Sequence, residues 1–173
     1  MSSKIMPGTQ APALSLPLVG GGTFTLADQT PETVTMILVY RGFHCPVCKD
    51  FLADQLEPKI EAFEAAGVKV VAVSMDPEDR AQKAKDEWGL EKTQIAYGMT
   101  EEDARNWGLY LSSSIKEAET ATFAEPGTFW VKPDGELYLI DIATMPFARP
   151  NLDILLSKVG AVAKGYPARG TKA

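Results

Sequence analysis

The chain has one histidine and two cysteines in 173 residues. That scarcity argues against most metal-centred chemistry: a zinc site takes four ligands, and after Cys45, Cys48 and His44 no further cysteine or histidine remains. Only zinc shared between two chains escapes the shortage. Basic residues are also few, 17 against 23 acidic, for a net charge of −6, and they form no cluster. That balance opposes a nucleic-acid phosphate backbone as partner. Long apolar runs are missing too. The longest, residues 36–40, suits a buried strand and not a bilayer span. Residues 1–8 hold no apolar core of a secretory leader. The expectation is a cytoplasmic protein with no membrane, nucleic-acid or metal partner. In that compartment thiols are kept reduced, so two cysteines close in sequence are placed to cycle or to bind metal, not to staple the fold.

What remains is ordinary globular composition, 45% hydrophobic and 23% charged, at a length that favours one domain. Residues 1–173 are expected to form that domain, with 1–32 as an N-terminal hairpin extension and 166–173 as a flexible tail. In the extension, Ala13, Leu14, Leu16 and Leu18 precede a Gly20-Gly21-Gly22 turn and a short returning strand, Thr23-Phe24-Thr25-Leu26. Residues 34–40 read as a core strand. From 49 to 66 the apolar positions Phe51, Leu52, Leu56, Ile60 and Phe63 recur at helical spacing, and Gly67 stands at the expected stop. Residues 68–74 form a second apolar strand. Asp76-Pro77-Glu78-Asp79 opens a helix to about Trp88, and Thr100 caps another to Trp107. A short strand falls at 95–98. Residues 109–124 carry no decisive period. Two strands, 127–132 and 136–142, flank a Pro133-Asp134-Gly135 turn, and residues 151–165 close with an amphipathic helix. Alternating strands and helices, then a hairpin and a helix, predict an α/β fold: a central mixed β-sheet flanked by helices on both faces.

The chemistry centres on Cys45-Pro46-Val47-Cys48, where the core strand hands over to a helix. Cys45 would sit at the helix N-terminus with Pro46 near the first helical position, where a missing N–H is no loss. Free amides and the positive end of the helix dipole then favour the Cys45 thiolate. Cys48 lies one turn along, at a spacing a disulfide can close. Cys45 is therefore the expected exposed nucleophile, and Cys48 the partner that resolves a mixed disulfide or sulfenic acid. His44, if protonated, would stabilise the thiolate further; it reads equally well as a partly exposed turn residue. Arg41 is a second possible source of positive charge, although an arginine ending a strand is ordinarily just solvated. Glu125-Pro126 immediately before the strand at 127 is a further candidate element; alone it reads as a plain loop. Trp88, Trp107, Trp130 and Phe147 could line the site, with core packing the simpler role for residues so placed.

Taken in order, these segments resemble the alkyl hydroperoxide reductase/thiol-specific antioxidant family, peroxiredoxin-like proteins of thioredoxin-like fold. The resemblance runs from about residue 7 to 165. It rests on Tyr40-Arg41-Gly42-Phe43-His44-Cys45-Pro46-Val47-Cys48, Val71-Ala72-Val73-Ser74-Met75-Asp76-Pro77-Glu78, Tyr97-Gly98-Met99-Thr100, and Gly127-Thr128-Phe129-Trp130-Val131 before Asp134-Gly135. It implies that Pro126 is a cis-proline beside which an extended substrate lies near Cys45. Arg149 and Arg41 become candidates to assist the thiolate, and Glu125, His44 or water candidates for proton transfer at Cys48. The chain departs from the family pattern in four places. Leu38 stands for its proline and Gly42 for its peroxide-aligning hydroxyl. On the thioredoxin side, Val39 replaces the buried acid and His44 the tryptophan.

The resulting expectation is a thiol-dependent oxidoreductase that reduces disulfides or small peroxides without a cofactor. It would be re-reduced by a thiol donor such as a thioredoxin or glutathione, and a homodimer is plausible for such folds. The alternatives are a non-catalytic redox-sensing module and a metal-binding module on the same fold.

Overall fold

In the computed structural model, which describes residues 4–173, three successive glycines at positive φ (Gly20, Gly21 and Gly22) reverse the chain between β1 (Ser15–Pro17) and β2 (Thr23–Thr25). The first three residues, part of the stretch read for a leader, lie outside the described residues. β3 (Val34–Val39) is buried at every position, as a β-branched run covered on both faces should be. Then follow α1 (Pro46–Asp50), α2 (Ile60–Ala65), β4 (Val68–Val73), α3 (Glu78–Glu87), β5 (Gln94–Ala96) and α4 (Glu101–Asn106). The chain ends with β6 (Leu111–Ser113), β7 (Thr122–Ala124), β8 (Gly127–Val131), β9 (Leu137–Ile142) and α5 (Leu152–Ala163). α4 carries a full capping box, Thr100 and Asp103 each accepting the other's backbone N–H.

The main sheet has the order β5-β4-β3-β8-β9, parallel among the first three and antiparallel thereafter. One face carries Met36, Leu38, Val70, Ala72 and Trp130 beneath α1, α2, α3 and α5. The other carries Ile37, Val39, Val71, Val73 and Phe129 beneath the N-terminal hairpin and α4, with Leu16, Phe24 and Trp107 packed on it. The expected layering is observed. β3 lies at the centre, so its C-terminal end, where the cysteines begin, is held on both sides.

The single helix expected over 49–66 is broken. α1 passes into a π-turn segment, Phe51–Leu56, then a 3-10 turn, Glu57–Lys59, before α2. Pro58 supplies the reason: it has no N–H for the carbonyl of Asp54, and its ring would crowd that carbonyl in a regular α-helix. Residues 109–124, which lack a decisive period, form the β6–β7 hairpin, a two-stranded sheet apart from the main one. The four aromatics for which core packing is the simpler role divide. Trp107 and Trp130 are core, 1% and 2% exposed, Trp88 packs on Tyr40 and Phe43, and Phe147 is 69% exposed.

Candidate active site

β3 delivers Tyr40 and Arg41 to the turn that leads into α1, and Cys45 caps that helix. Its φ and ψ are extended, −101° and 105°, and its Sγ accepts the backbone N–H of Cys48 at 3.2 Å. Pro46 takes the first helical position, where no N–H is required. Cys45 and Cys48 approach to 2.7 Å with both thiols free. The expectation of an exposed Cys45 is corrected: it is only 3% exposed, and Cys48 is 0% exposed. The broken helix and the segment around Arg149 close over the sulfurs.

Arg149 reaches the pair from beyond β9. Its Nη2 donates to Cys48 Sγ at 3.2 Å, its Nη1 donates to the Pro146 carbonyl at 2.7 Å, and its guanidinium lies 4.6 Å from the Phe51 ring centroid. The cation therefore serves Cys48. Burial opposes a charge there, but the Cys45 thiol, Arg149 and the Arg41 main-chain N–H outweigh it and bring the Cys48 thiol down to about 6. Cys45 moves the opposite way, its thiol pushed well above the ordinary range by its hydrogen bond to the Cys48 sulfur and by burial. The two thiols titrate as a pair, and Arg149 together with the hydrogen bond from Cys45 favours placing the pair's negative charge on Cys48. The helix amides near Cys45 are the only donors visible locally in the sequence; Arg149 comes from 101 residues away.

The Arg41 guanidinium is spent on Glu125 and not on a sulfur. Its Nε and Nη2 each donate at 2.8 Å to the two oxygens of Glu125, which also accepts the Ser112 hydroxyl at 2.7 Å. Glu125 is 2% exposed. Both of its oxygens are engaged by Arg41, with Ser112 adding a third donor. Pro126 is not cis: no cis peptide bond occurs among the described residues. The chain runs extended through it from Glu125, whose N–H pairs with Tyr110, to Gly127 opposite Val39, and the Pro126 carbonyl accepts the Ala143 N–H at 3.0 Å. That carbonyl is already part of the sheet and does not offer itself to a substrate.

His44 turns away from the thiols. Its side chain is 1% exposed, its ring tilted 60° against Phe123 at 4.7 Å between centroids, with Nε2 3.9 Å from Glu119. Burial holds its pKa below the ordinary imidazole value despite the attraction of Glu119, so it is neutral at pH 7. The β6–β7 hairpin, with no local signature, is what covers it.

One site residue was not singled out by the sequence. Asp76, read there only as the acid before a helix, accepts the Phe43 N–H at 2.7 Å on a carboxylate that is 0% exposed. It also explains the departure at Gly42. That residue has φ +139°, and a Cβ there would stand 2.5 Å from Asp76 Oδ1. A side chain bearing a hydroxyl has no room. No signal in the sequence joins positions 33 residues apart.

A cavity of about 400 Å³ opens beside the pair, lined by Val47, Phe51, Pro146, Phe147, Arg149 and Asn151 among others. Another of about 520 Å³ lies against the N-terminal hairpin and contains neither cysteine nor histidine. Among the described residues no group of three or more His, Cys, Asp or Glu side chains could hold a metal ion, and no helix is long and apolar enough to cross a membrane.

Comparison with known proteins places this geometry in context. The model of the AhpC/TSA family matches residues 7–140. A Mycobacterium tuberculosis protein named "Putative peroxiredoxin Rv2521" is 26% identical over 136 residues, covering 79% of this chain and 84% of that protein. Among solved structures, the reduced 2-Cys peroxiredoxin of Plasmodium vivax superposes with a TM-score of 0.76 at 13% identity, over 93% of this chain and 83% of that one. Peroxidoxin BcpB of Mycobacterium tuberculosis gives 0.74 at 14% identity, over 91% and 98%. At these identities the two structures show a shared fold.

Proposed function

The chain belongs to the AhpC/TSA family of peroxiredoxin-like thiol oxidoreductases, and from that premise we propose that Cys45 and Cys48 are its redox couple, reducing small peroxides or disulfides without a cofactor. The observation that carries the reading is the Arg149-held sulfur of Cys48 beside the helix-capping sulfur of Cys45.

The charge distribution gives each sulfur a task. The Cys48 thiolate takes the Cys45 proton, leaving Cys45 as the attacking thiolate while the Cys48 N–H stays on its sulfur. Attack on a peroxide O–O bond forms Cys45 sulfenic acid, and the alkoxide or hydroxide leaves with the proton Cys48 had accepted. The Cys48 thiolate, re-formed beside Arg149, then attacks Cys45 Sγ; hydroxide leaves and is protonated to water, and a disulfide remains. A dithiol or two monothiols return two electrons by exchange. With a disulfide as substrate, Cys45 attacks sulfur instead and a thiolate leaves. A reducing, cytoplasmic setting and a thioredoxin- or glutathione-type donor suit that cycle.

The test is thiol titration after one equivalent of hydrogen peroxide, beside peroxide consumption with a dithiol donor. Wild type should lose two thiols and turn over. Cys48→Ser should stop at a sulfenic acid that dimedone traps, and Cys45→Ser should do neither. A wild type that keeps both thiols and consumes peroxide no faster than Cys45→Ser would sink the proposal; a disulfide formed without turnover would favour a redox sensor.

A further inference from the structure

We propose that Asp76 is a positioning residue for this couple: its buried carboxylate fixes the turn 42–45 so that Cys45 caps α1. The inference rests on the thiol-redox reading above and names the group that holds its geometry.

The turn is tied at three points in succession. Asp76 Oδ2 accepts the Phe43 N–H at 2.7 Å, the Gly42 carbonyl accepts the Cys45 N–H at 3.1 Å, and Cys45 Sγ accepts the Cys48 N–H at 3.2 Å. The first tie governs the others, because the same carboxylate lies against the Gly42 Cα and allows only a residue without Cβ. Asp76 is itself held. Its N–H donates to Ser74 Oγ at 3.2 Å, and its carbonyl accepts the Gly98 N–H at 2.9 Å. In the core Asp76 contributes a buried polar group rather than apolar area.

A buried carboxylate is retained where a neutral acceptor is not equivalent. An ionised acceptor makes roughly twice as strong a hydrogen bond to a backbone N–H as a neutral one. The charged groups facing Asp76 are Arg80 and Asp79 from α3, with the Tyr40 phenol at the end of β3. Arg80 Nε stands 3.7 Å from Asp76 Oδ1, too far for a hydrogen bond, so both atoms are buried without one. Burial accordingly raises the Asp76 carboxyl from its ordinary value, against the pull of the Phe43 N–H and Arg80. The carboxylate form is the positioning form; protonation turns it into something close to an asparagine.

That equivalence supplies the test. Iodoacetamide alkylation of the reduced protein is followed between pH 4 and 8 in wild type, Asp76→Asn and Asp76→Ala, with unfolding midpoints measured alongside. The wild-type to Asp76→Asn rate ratio should reach about 10-fold at the alkaline end, where the carboxyl is ionised, and fall as the carboxyl protonates. Asp76→Ala, with no acceptor, should be slow throughout. A ratio of one throughout, or variants that match wild type at every pH, overturns the assignment. If Asp76→Ala does not fold, the asparagine ratio alone decides. Alkylation needs no turnover, so a titrating ratio in a protein that ignores peroxide would sink the catalytic reading and leave the positioning role standing.

Discussion

Arg149 and Cys48, 101 residues apart in the chain, meet as a charge-assisted hydrogen bond of 3.2 Å inside a site where neither sulfur is open to solvent. The guanidinium is steered by the Pro146 carbonyl and the Phe51 ring, so it remains in place whichever sulfur carries the proton. Replacing it with methionine keeps much of the side-chain volume and removes the cation. Arg149→Met should slow alkylation of the reduced protein at pH 7 by about 10- to 100-fold, the equivalent of a charged hydrogen bond of roughly 1.5–3 kcal/mol. Arg149→Lys should recover part of the rate. Thiolate absorbance at 240 nm against pH gives the corresponding shift directly.

The same contact makes stability depend on pH in the reduced state. Cys48 titrates at about 6 folded against an ordinary value of 9.0, so its contribution is complete above 9 and is lost as pH falls through 6. Cys45 is raised, so above its ordinary 9.0 the unfolded chain sheds that proton while the folded one keeps it, and stability falls again. The urea midpoint of the reduced protein should rise from pH 6 to about 9 and decline beyond. Cys48→Ser should remove the rise and keep the acid-side behaviour of the rest of the molecule.

Glu125 is a charge partner, and its loss should be felt in folding before chemistry. Glu125→Ala leaves Arg41 without the fork that orients it and leaves the Ser112 hydroxyl without its acceptor. Arg41 keeps 20% of its side chain in solvent, so the cost belongs at or below the low end for a broken buried pair, about 2–3 kcal/mol. Chemical denaturation measures it. Glu125→Gln, which keeps one acceptor for Arg41, should cost less. Equal stability of wild type and Glu125→Ala would show that the fork is only ornamental.

Much of this site was legible locally. The apolar β-branched run ending at Tyr40, the proline after Cys45 and the two-residue spacing to Cys48 are short-range signals, and they locate strand, helix start and thiol pair together. What decides the distribution of charge is not local. Arg149, Asp76 and the β6–β7 hairpin reach the turn from far along the chain, and three-residue strands such as Leu111–Ser113 carry too few positions to show a period. Pro58 was visible and its consequence physical, yet the hydrophobic spacing around it continues through the break and masks it. Gly42 shows the same division. Its identity is plain in the sequence, and only Asp76 explains why a hydroxyl cannot stand there.

Restoring that hydroxyl should therefore fail. Gly42→Thr places a β-branched side chain at φ +139° and drives its Cβ to 2.5 Å from a buried carboxylate oxygen. Strained backbone of this kind costs about 1–3 kcal/mol before any clash is counted. The variant should unfold at lower denaturant and consume peroxide no faster than wild type. A Gly42→Thr protein of unchanged midpoint and higher peroxide turnover would mean that Asp76 can move aside and that the turn is not fixed as described.

His44 offers the sharpest contrast between position and role, since it adjoins Cys45 in sequence and faces Glu119 and Phe123 in space. Neutral at pH 7, it lends no charge to either thiol, so His44→Gln should leave the pH 7 alkylation rate within about 2-fold of wild type, inside the small effect expected of a residue without a charge to give. Its influence belongs at lower pH. The folded imidazole resists protonation that the unfolded chain accepts at 6.5, so His44 lowers stability as pH drops from 6.5 toward its folded value. His44→Phe should flatten that acid-side loss in a urea midpoint series between pH 7 and 5, with Phe packing on Phe123 in the space the imidazole fills. Should His44→Gln instead slow alkylation at pH 7 by 10-fold or more, a protonated ring must be reaching the sulfurs, and the hairpin over residues 111–124 would have to open for it to do so.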